Sequence, residues 1–261
     1  MSLSDTVKVG YREAERYERA RPGYPDATVE WLAAALRLGP GTRVAELGAG
    51  TGKFTRSLVP LCGLAVAVEP VEEMRREVSR RVPGARVVGG TAEALPLRGG
   101  AVDAVICAQS FHWFARDAAV AEIHRVLRPG GRLGLLWNQR DESVDWVAGL
   151  QAILEPHEGA SPRYRTGSWR PVLERSPLLG PLQERIFDNA QEGPREAAVE
   201  RIASTSFVAA LPEERRRAVL EEVRRLLATH PATAGSAVLR VPYRTHAFWC
   251  ERRPGPGEAA T

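Results

Sequence analysis

Three glycines, Gly48, Gly50 and Gly52, alternate with other residues directly after a predicted strand and directly before a predicted helix. Glycine tolerates positive φ and lets the backbone pass close to a ligand, and the first N–H groups of a helix attract negative charge or lone pairs. Glu69 stands 21 positions after Gly48, at the end of the next predicted strand. A carboxylate at that distance can accept hydrogen bonds from both hydroxyls of a ribose. The pattern therefore predicts a nucleotide-like ligand.

The spacing of the glycines narrows the identity of this ligand. A dinucleotide-binding loop has the form G-x-G-x-x-G, whereas here the third glycine comes one position early and Lys53 stands in its place. The loop G-x-x-x-x-G-K-[ST] that binds nucleoside triphosphates does not occur either. The form E-x-G-x-G-x-G, which begins at Glu46, resembles motif I of class I S-adenosylmethionine-dependent methyltransferases. The resemblance implies S-adenosylmethionine as cofactor, with Glu46 orienting its ammonium group directly or through water.

The resemblance continues in the stretch 90–97, which follows the third predicted strand and flanks the adenine in methyltransferases of this group. It implies that one backbone segment and a neighbouring side chain meet the edge of the base. The face of the base would meet the first side chains after Glu69. The residues in these roles are Ala92 for the backbone, Thr91 or Glu93 for the side chain, and Val71 for the face, with Met74 as the alternative to Val71.

The loop after the fourth predicted strand, residues 108–114, should face the transferred methyl group, because ligands of a doubly wound sheet lie beyond the carboxyl ends of its strands. Gln109, at the start of the loop, is expected at the cofactor. His112 is the candidate general base, since imidazole titrates near neutral pH. The alternative is that His112 only shapes the pocket, and a carboxylate acceptor needs no base.

Aromatic residues and arginines supply the candidate contacts to the acceptor substrate. Trp113, Phe114 and Trp137 could line an apolar pocket or stabilise a sulfonium by cation–π contact, and core packing is the alternative for Trp137. Arg21 and Arg140 could hold an acidic acceptor by paired hydrogen bonds. The alternative for both arginines is an ordinary place on the surface.

A segment near the N-terminus, residues 17–25, contains Tyr17, Arg21 and Tyr24 and could either fold over the cofactor as a lid or pack on the sheet edge. Together with the loop 111–114 and residues 125–131 and 137–141, this segment resembles a type 11 subgroup of small-molecule methyltransferases. That subgroup includes the fungal trans-aconitate and cantharidin-detoxifying enzymes. The resemblance implies methyl transfer to a small molecule, through a carboxylate or a hydroxyl group.

The elements that position these residues alternate between short apolar strands and helical patterns in the first half of the chain. Strands are predicted at 43–47, 64–69, 86–88, 102–108 and 133–138, and helices at 52–60, 71–81 and 115–127. This alternation implies a parallel sheet with crossover helices. In the second half, helices are predicted at 142–154, 196–204 and 212–229, and strands at 183–187 and 237–249.

The expected fold is α/β: a doubly wound, seven-stranded, mostly parallel sheet of the Rossmann-like methyltransferase type, with a C-terminal antiparallel strand pair and a helical insertion. Its expected domains are a helical lid or cap, a cofactor-binding α/β core, helical insertions with the closing antiparallel strands, and a disordered tail. Their boundaries are 1–40, 41–141, 142–250 and 251–261.

Composition argues against several other classes of protein. No apolar run in the 261 residues reaches the roughly 18 needed for a membrane span, and the first ten residues do not have the form of a signal peptide, so we expect a cytoplasmic protein. The three scattered cysteines predict neither disulfides nor a metal site. A net charge of +4 is weak evidence for nucleic-acid binding. A nucleic-acid or protein methyltransferase and a non-catalytic binding module stay as alternatives, and the oligomeric state is undetermined.

Overall fold

The computed structural model describes residues 21–159 and 162–255, so the predicted role of Tyr17 lies outside the described residues. Within these residues, seven strands form one sheet, in the order β3-β2-β1-β4-β5-β7-β6. The strands are β1 (Arg43–Leu47), β2 (Leu64–Val68), β3 (Ala85–Val88), β4 (Val102–Ala108), β5 (Leu127–Arg140), β6 (Gln183–Pro194) and β7 (Val238–Glu251).

Strands β1 to β5 are parallel, because β1 pairs with both β2 and β4, β2 pairs with β3, and β4 pairs with β5 in that sense. β6 and β7 form the C-terminal antiparallel pair. The predicted fold class is therefore confirmed. Parallel strands place all their carboxyl ends at one edge of the sheet, and the loops after β1, β2, β3 and β4 meet there.

Six of the helices in the described residues fall close to their individually predicted positions, 26–35 lies within the segment 1–40 expected to be helical, and the short helices at 170–174 and 206–209 had no prediction. The helices are α1 (Asp26–Ala35), α2 (Thr55–Leu58), α3 (Glu72–Arg81), α4 (Asp117–Val126), α5 (Asp145–Leu154), α6 (Arg170–Glu174), α7 (Arg195–Ala203), α8 (Ser206–Ala209) and α9 (Glu213–Thr229). The helix predicted at 52–60 is shorter than expected, and a 3-10 turn, Val59–Leu61, follows α2. Gly52 has a φ of +81°, outside the helical region, and Pro60 has no N–H to continue a helix.

Strand β5 is longer than the predicted 133–138 and contains an irregularity near its start. Val102 pairs with Leu127, whereas Ala104 pairs with Arg132, so the four residues 128–131 of β5 stand opposite the single residue Asp103 of β4. Gly130, with a φ of +71°, lies in this extra segment. Residues Pro129–Gly131 therefore lie in a bulge within the pairing of β4 with β5.

The described chain divides into two compact units. The sheet unit comprises residues 24–137, 162–187 and 245–255. Its apolar core covers both faces of the sheet, with fully buried side chains such as Phe54, Ile106, Phe111, Trp137 and Phe248. β7 ends at Glu251, and Arg252 donates from Nε to the His124 carbonyl at 3.0 Å. Residues 251 and 252 therefore belong to this unit and not to the predicted tail.

The helical unit comprises residues 21–23, 138–159 and 188–244. Helices α5, α7, α8 and α9 pack around an apolar core of its own. Buried residues of α9 recur at Val219, Val223 and Leu227, the spacing expected for one helix face. No helix among the described residues combines the length and the apolar character that crossing a membrane requires.

Candidate functional site

The three glycines after β1 all have positive φ, +68° at Gly48, +58° at Gly50 and +81° at Gly52, but their surroundings differ. A Cβ on Gly48 would stand 2.7 Å from Ser110 Cβ, and one on Gly52 would stand 3.0 Å from a methyl group of Val82. Both glycines are therefore required by packing inside the protein. A Cβ on Gly50 would meet no atom of residues 21–159 or 162–255 within 4 Å, so this part of the protein leaves the loop backbone open to a ligand at Gly50.

Glu69, directly after β2, is only 6% exposed and turns its carboxyl group toward the glycine loop. Gly50 donates its N–H to Oε2 at 2.8 Å, and Val71 donates its N–H to Oε1 at 3.0 Å. Burial raises the pKa of Glu69 above its ordinary value, although both N–H groups act in the opposite direction. A carboxylate has about four lone-pair positions, so about two stay open to accept from hydroxyl groups of a ligand.

Arg75 on α3 holds the backbone around Glu69, and sequence reasoning missed it. Its Nη1 donates to the carbonyl of Glu69 at 3.0 Å and to that of Pro70 at 2.8 Å. The guanidinium also lies against the end of β3, because a Cβ on Gly89 would stand 3.2 Å from its Cζ. Nothing in the sequence distinguishes this arginine from its neighbours on the helix.

Glu46, the acidic residue of the predicted motif, is 2% exposed at the end of β1. The Thr55 hydroxyl on α2 donates a hydrogen bond to its Oε2. Burial, with a smaller contribution from the nearby Glu69, raises the pKa of Glu46 to about 8, against the lowering effect of that hydrogen bond. A cationic ligand group beside this carboxyl would favour its ionised form.

The residues predicted around the adenine stand at the ends of β2 and β3. Ala92 is 8% exposed, Thr91 is exposed, and Val71 is half-buried. Glu93 lies 3.5 Å from a guanidinium nitrogen of Arg116 and is thus part of an ion pair at the surface. Met74, the alternative to Val71, is 1% exposed, as expected of a core side chain.

The loop after β4 begins with Gln109, whose φ is +60°, an uncommon value for a residue with a side chain. Its N–H donates to the Leu136 carbonyl at 2.8 Å and extends the pairing of β4 with β5. Ser110 is 5% exposed, and its hydroxyl donates to the Leu47 carbonyl at 2.6 Å. This hydrogen bond therefore links the loop after β4 to the start of the glycine loop.

His112 lies in a 3-10 turn, Phe111–Trp113, after β4. Trp137 Nε1 donates to His112 Nδ1 at 3.0 Å. Trp137 is fully buried among aromatic rings, with ring centroids 4.9 Å from Tyr164 and 4.5 Å from Trp169. Sequence reasoning did not single out Tyr164 or Trp169, because nothing in the sequence indicates that these distant residues stack on β5.

The other predicted aromatic residues of the sheet unit are half-buried. The Trp113 ring lies 5.1 Å from that of His112, and Phe114 packs edge-on against Phe111 at 5.6 Å. Tyr24, predicted in the lid segment, packs edge-on against Phe54 at 5.0 Å, directly after the glycine loop.

Arg21 and Arg140, the predicted substrate arginines, belong to the helical unit. Arg140 donates from Nη2 to Gln151 Oε1 on α5 at 2.9 Å. In the same unit, Asn138 at the end of β5 donates from Nδ2 to the Gly23 carbonyl at 3.0 Å, which ties the segment 21–23 to this strand.

Most of the sequence-predicted residues of the sheet unit thus stand in the loops at one edge of the sheet. No group of three or more histidine, cysteine, aspartate or glutamate residues within 21–159 and 162–255 is arranged to hold a metal ion.

The known proteins to which this chain is similar are described as methyltransferases. A family model described as a methyltransferase domain matches residues 45–135. An uncharacterized methyltransferase of Mycobacterium tuberculosis is 41% identical over 248 residues, which cover 94% of each chain. An uncharacterized methyltransferase-like protein of Schizosaccharomyces pombe is 35% identical over 241 residues, covering 91% of this chain and 93% of the relative. The solved structure of a candidate type II methyltransferase from Anaeromyxobacter dehalogenans is 27% identical, with a TM-score of 0.65, covering 89% of this chain and 96% of that chain.

Proposed function

The chain belongs to the class I S-adenosylmethionine-dependent methyltransferases, and we propose that it methylates a small-molecule acceptor at a carboxylate or hydroxyl oxygen. The observation that carries the cofactor part of this proposal is the Glu69 carboxyl group, held by two backbone N–H groups beside the open face of Gly50; the acceptor class rests on the resemblance of the sequence to small-molecule methyltransferases. The arrangement suits a nucleoside, since the remaining lone pairs can accept from two ribose hydroxyls while the glycine backbone leaves room for the ligand.

The chemistry of the residues at the sheet edge supports S-adenosylmethionine as their ligand. Glu69 accepts hydrogen bonds from the ribose hydroxyls, and Glu46 orients the ammonium group directly or through water. Val71 and Ala92 meet the adenine, with Thr91 or Glu93 at the base edge, and Gln109 borders the reacting end. When bound, the cofactor supplies a methyl group that the neighbouring sulfonium has already activated. The task of the chain is then to orient the acceptor and to exclude water.

The acceptor is proposed to bind beside the loop after β4, where the half-buried rings of Trp113 and Phe114 offer an apolar wall. Arg21 and Arg140 remain, on sequence grounds, the candidates for binding an acidic group of the acceptor, and Tyr17, Arg21 and Tyr24 the candidates for a lid. Protection of the N-terminal segment from protease on addition of S-adenosylhomocysteine is the result expected of a lid, and unchanged cleavage would rule it out.

Binding of S-adenosylhomocysteine tests the proposed cofactor site directly. We expect Glu69→Gln to weaken binding by about tenfold to a hundredfold, because it removes a charged acceptor from hydrogen bonds to the ligand. The matched control is Glu72→Gln, which removes an exposed carboxylate on α3 that pairs with Arg76 on the same helix. Equal affinity in the Glu69→Gln variant and the parent, by calorimetry, contradicts the proposed site.

The acceptor class is tested by the release of S-adenosylhomocysteine in the presence of small carboxylic acids, phenols, amines, tRNA and duplex DNA. We expect turnover with members of the first two classes. Turnover only with a nucleic acid, weakened steeply by salt, would make the chain a nucleic-acid methyltransferase instead. Tight cofactor binding with no turnover on any acceptor would indicate a non-catalytic binding module.

A further inference from the structure

A single hydrogen bond decides which nitrogen of His112 carries a proton. The Trp137 indole has a donor and no acceptor, and its Nε1 lies 3.0 Å from His112 Nδ1. His112 Nδ1 must therefore accept, which it can do only without a proton. The neutral imidazole then carries its hydrogen on Nε2.

The packing around Trp137 holds the indole in the position that fixes this tautomer. The indole is fully buried, and besides Tyr164 and Trp169 it packs edge-on against Phe248, with ring centroids 5.9 Å apart. Rotation of the indole away from His112 would displace these rings from a close-packed core and leave a buried N–H without its acceptor, and both changes are unfavourable.

We infer that Trp137 is a positioning residue that fixes the tautomer of His112, and that His112 donates a hydrogen bond from Nε2 to the acceptor substrate and does not serve as its general base. A base needs an unprotonated nitrogen directed at the substrate. In this arrangement Nδ1 is occupied by the indole and Nε2 already holds a hydrogen. The inference rests on the proposed function only in placing the acceptor beside His112.

The role changes the proton balance of the reaction. An acceptor oxygen forms the new carbon–oxygen bond while the carbon–sulfur bond breaks and leaves its electron pair on sulfur. A carboxylate acceptor releases no proton, and the proton of a hydroxyl acceptor passes to solvent water. In neither case does His112 gain or lose a proton, and its hydrogen bond serves to orient the acceptor.

Nitrogen chemical shifts of the protein labelled with 15N-histidine test the tautomer without any substrate. Protonated and unprotonated ring nitrogens resonate far apart, and the signals that disappear in His112→Gln are those of His112. We expect Nδ1 unprotonated and Nε2 protonated at neutral pH. Trp137→Phe should shift the signals toward a mixture of tautomers. A protonated Nδ1 in the parent protein overturns the inference.

The matched control for Trp137→Phe is Trp169→Phe. Both residues are buried tryptophans in the same aromatic cluster, but Trp169 Nε1 donates to the Tyr164 carbonyl at 3.2 Å and not to His112. We expect the signals of His112 to stay in place in Trp169→Phe. A similar loss of the Nε2-protonated form in both variants would mean that general packing, and not the indole N–H of Trp137, sets the tautomer.

Turnover measurements on His112 variants distinguish a hydrogen-bond donor from a general base. The amide nitrogen of Gln can donate from about the position of Nε2 but cannot take up a proton, so His112→Gln should keep kcat within about tenfold of the parent while His112→Ala raises KM strongly. If His112 were a general base, both variants would lose kcat by about a hundredfold or more. Binding of S-adenosylhomocysteine, measured on the same variants, stays intact in either case. If the parent protein did not bind S-adenosylhomocysteine at all, the proposed function itself would be refuted.

Discussion

The hydroxyl of Ser110 donates a 2.6 Å hydrogen bond to the backbone carbonyl of Leu47, and the Ser110 Cβ lies only 2.7 Å from where a Cβ on the next residue, Gly48, would stand. The loops after β1 and β4, 63 residues apart in the chain, are thus joined both by a polar contact and by close packing. The two loops can approach this closely only because position 48 is a glycine, since a side chain there would overlap with Ser110.

The three glycines of the loop should therefore respond differently to alanine. Gly50→Ala brings only the strain of a positive φ, about 1–2 kcal/mol of unfolding free energy. Gly48→Ala adds overpacking against Ser110, about 1–3 kcal/mol more. Urea-induced unfolding measures both values. Introducing Ser110→Gly into the Gly48→Ala variant should recover part of the loss, and equal costs at positions 48 and 50 would contradict the packing argument.

The same pair of variants should separate stability from ligand binding. Gly50 has open space beside it, so an added methyl group there meets the ligand and not the protein. We expect Gly50→Ala to weaken S-adenosylhomocysteine binding out of proportion to its small effect on unfolding. Unchanged affinity in Gly50→Ala, measured by calorimetry, would place the ligand elsewhere.

Arg75 should affect cofactor affinity although it is expected to touch no ligand. Arg75→Met removes two hydrogen bonds to the carbonyls of Glu69 and Pro70, which frees the segment that orients the Glu69 carboxyl group. We expect the KM for S-adenosylmethionine to rise by about threefold to thirtyfold, with kcat little changed. Arg76→Met is the control, since Arg76 lies next to Arg75 on α3 but pairs with the exposed Glu72. Equal KM values in the two variants would argue against a positioning role.

Glu46 should make the ligand-free protein less stable as pH rises. Its pKa is about 8 in the folded protein against an ordinary value of 4.5. Between these values the folded state binds a proton that the unfolded chain releases, so the stability falls from about pH 5 to about pH 8 and levels off above. The side chain of the Glu46→Gln variant cannot titrate. The free energy of unfolding of this variant should therefore fall over this pH interval by about 2–4 kcal/mol less than that of the parent.

The measurement is the free energy of unfolding in urea at about pH 5.5, 7 and 8.5 for both proteins. Glu69, whose pKa is raised in the same direction, keeps part of the slope in the Glu46→Gln variant. Glu72→Gln serves as the control for loss of an exposed carboxylate. Parallel pH profiles for the parent and Glu46→Gln would show that Glu46 is ionised throughout.

The positions in the fold of the residues predicted to bind the cofactor follow from the local sequence. A short apolar strand, a glycine-rich turn and a helix are specified by neighbours in the chain, and an acidic residue that ends a parallel strand must stand at the carboxyl edge of the sheet. The alternation of strands and helices fixed the fold class in the same way. It is for this reason that Gly50 and Glu69 were predictable.

Contacts between residues distant in the chain were decided by the tertiary structure alone. Ser110 meets Leu47 across 63 positions, and His112 meets Trp137 across 25. The sequence predicted a histidine near the acceptor, but the partner of its Nδ1, and with it the proposed role of donor, depends on how β4 and β5 lie side by side. Periodicity and propensity describe a residue and its near neighbours, whereas a hydrogen bond between strands depends on register and packing, which only the folded chain sets.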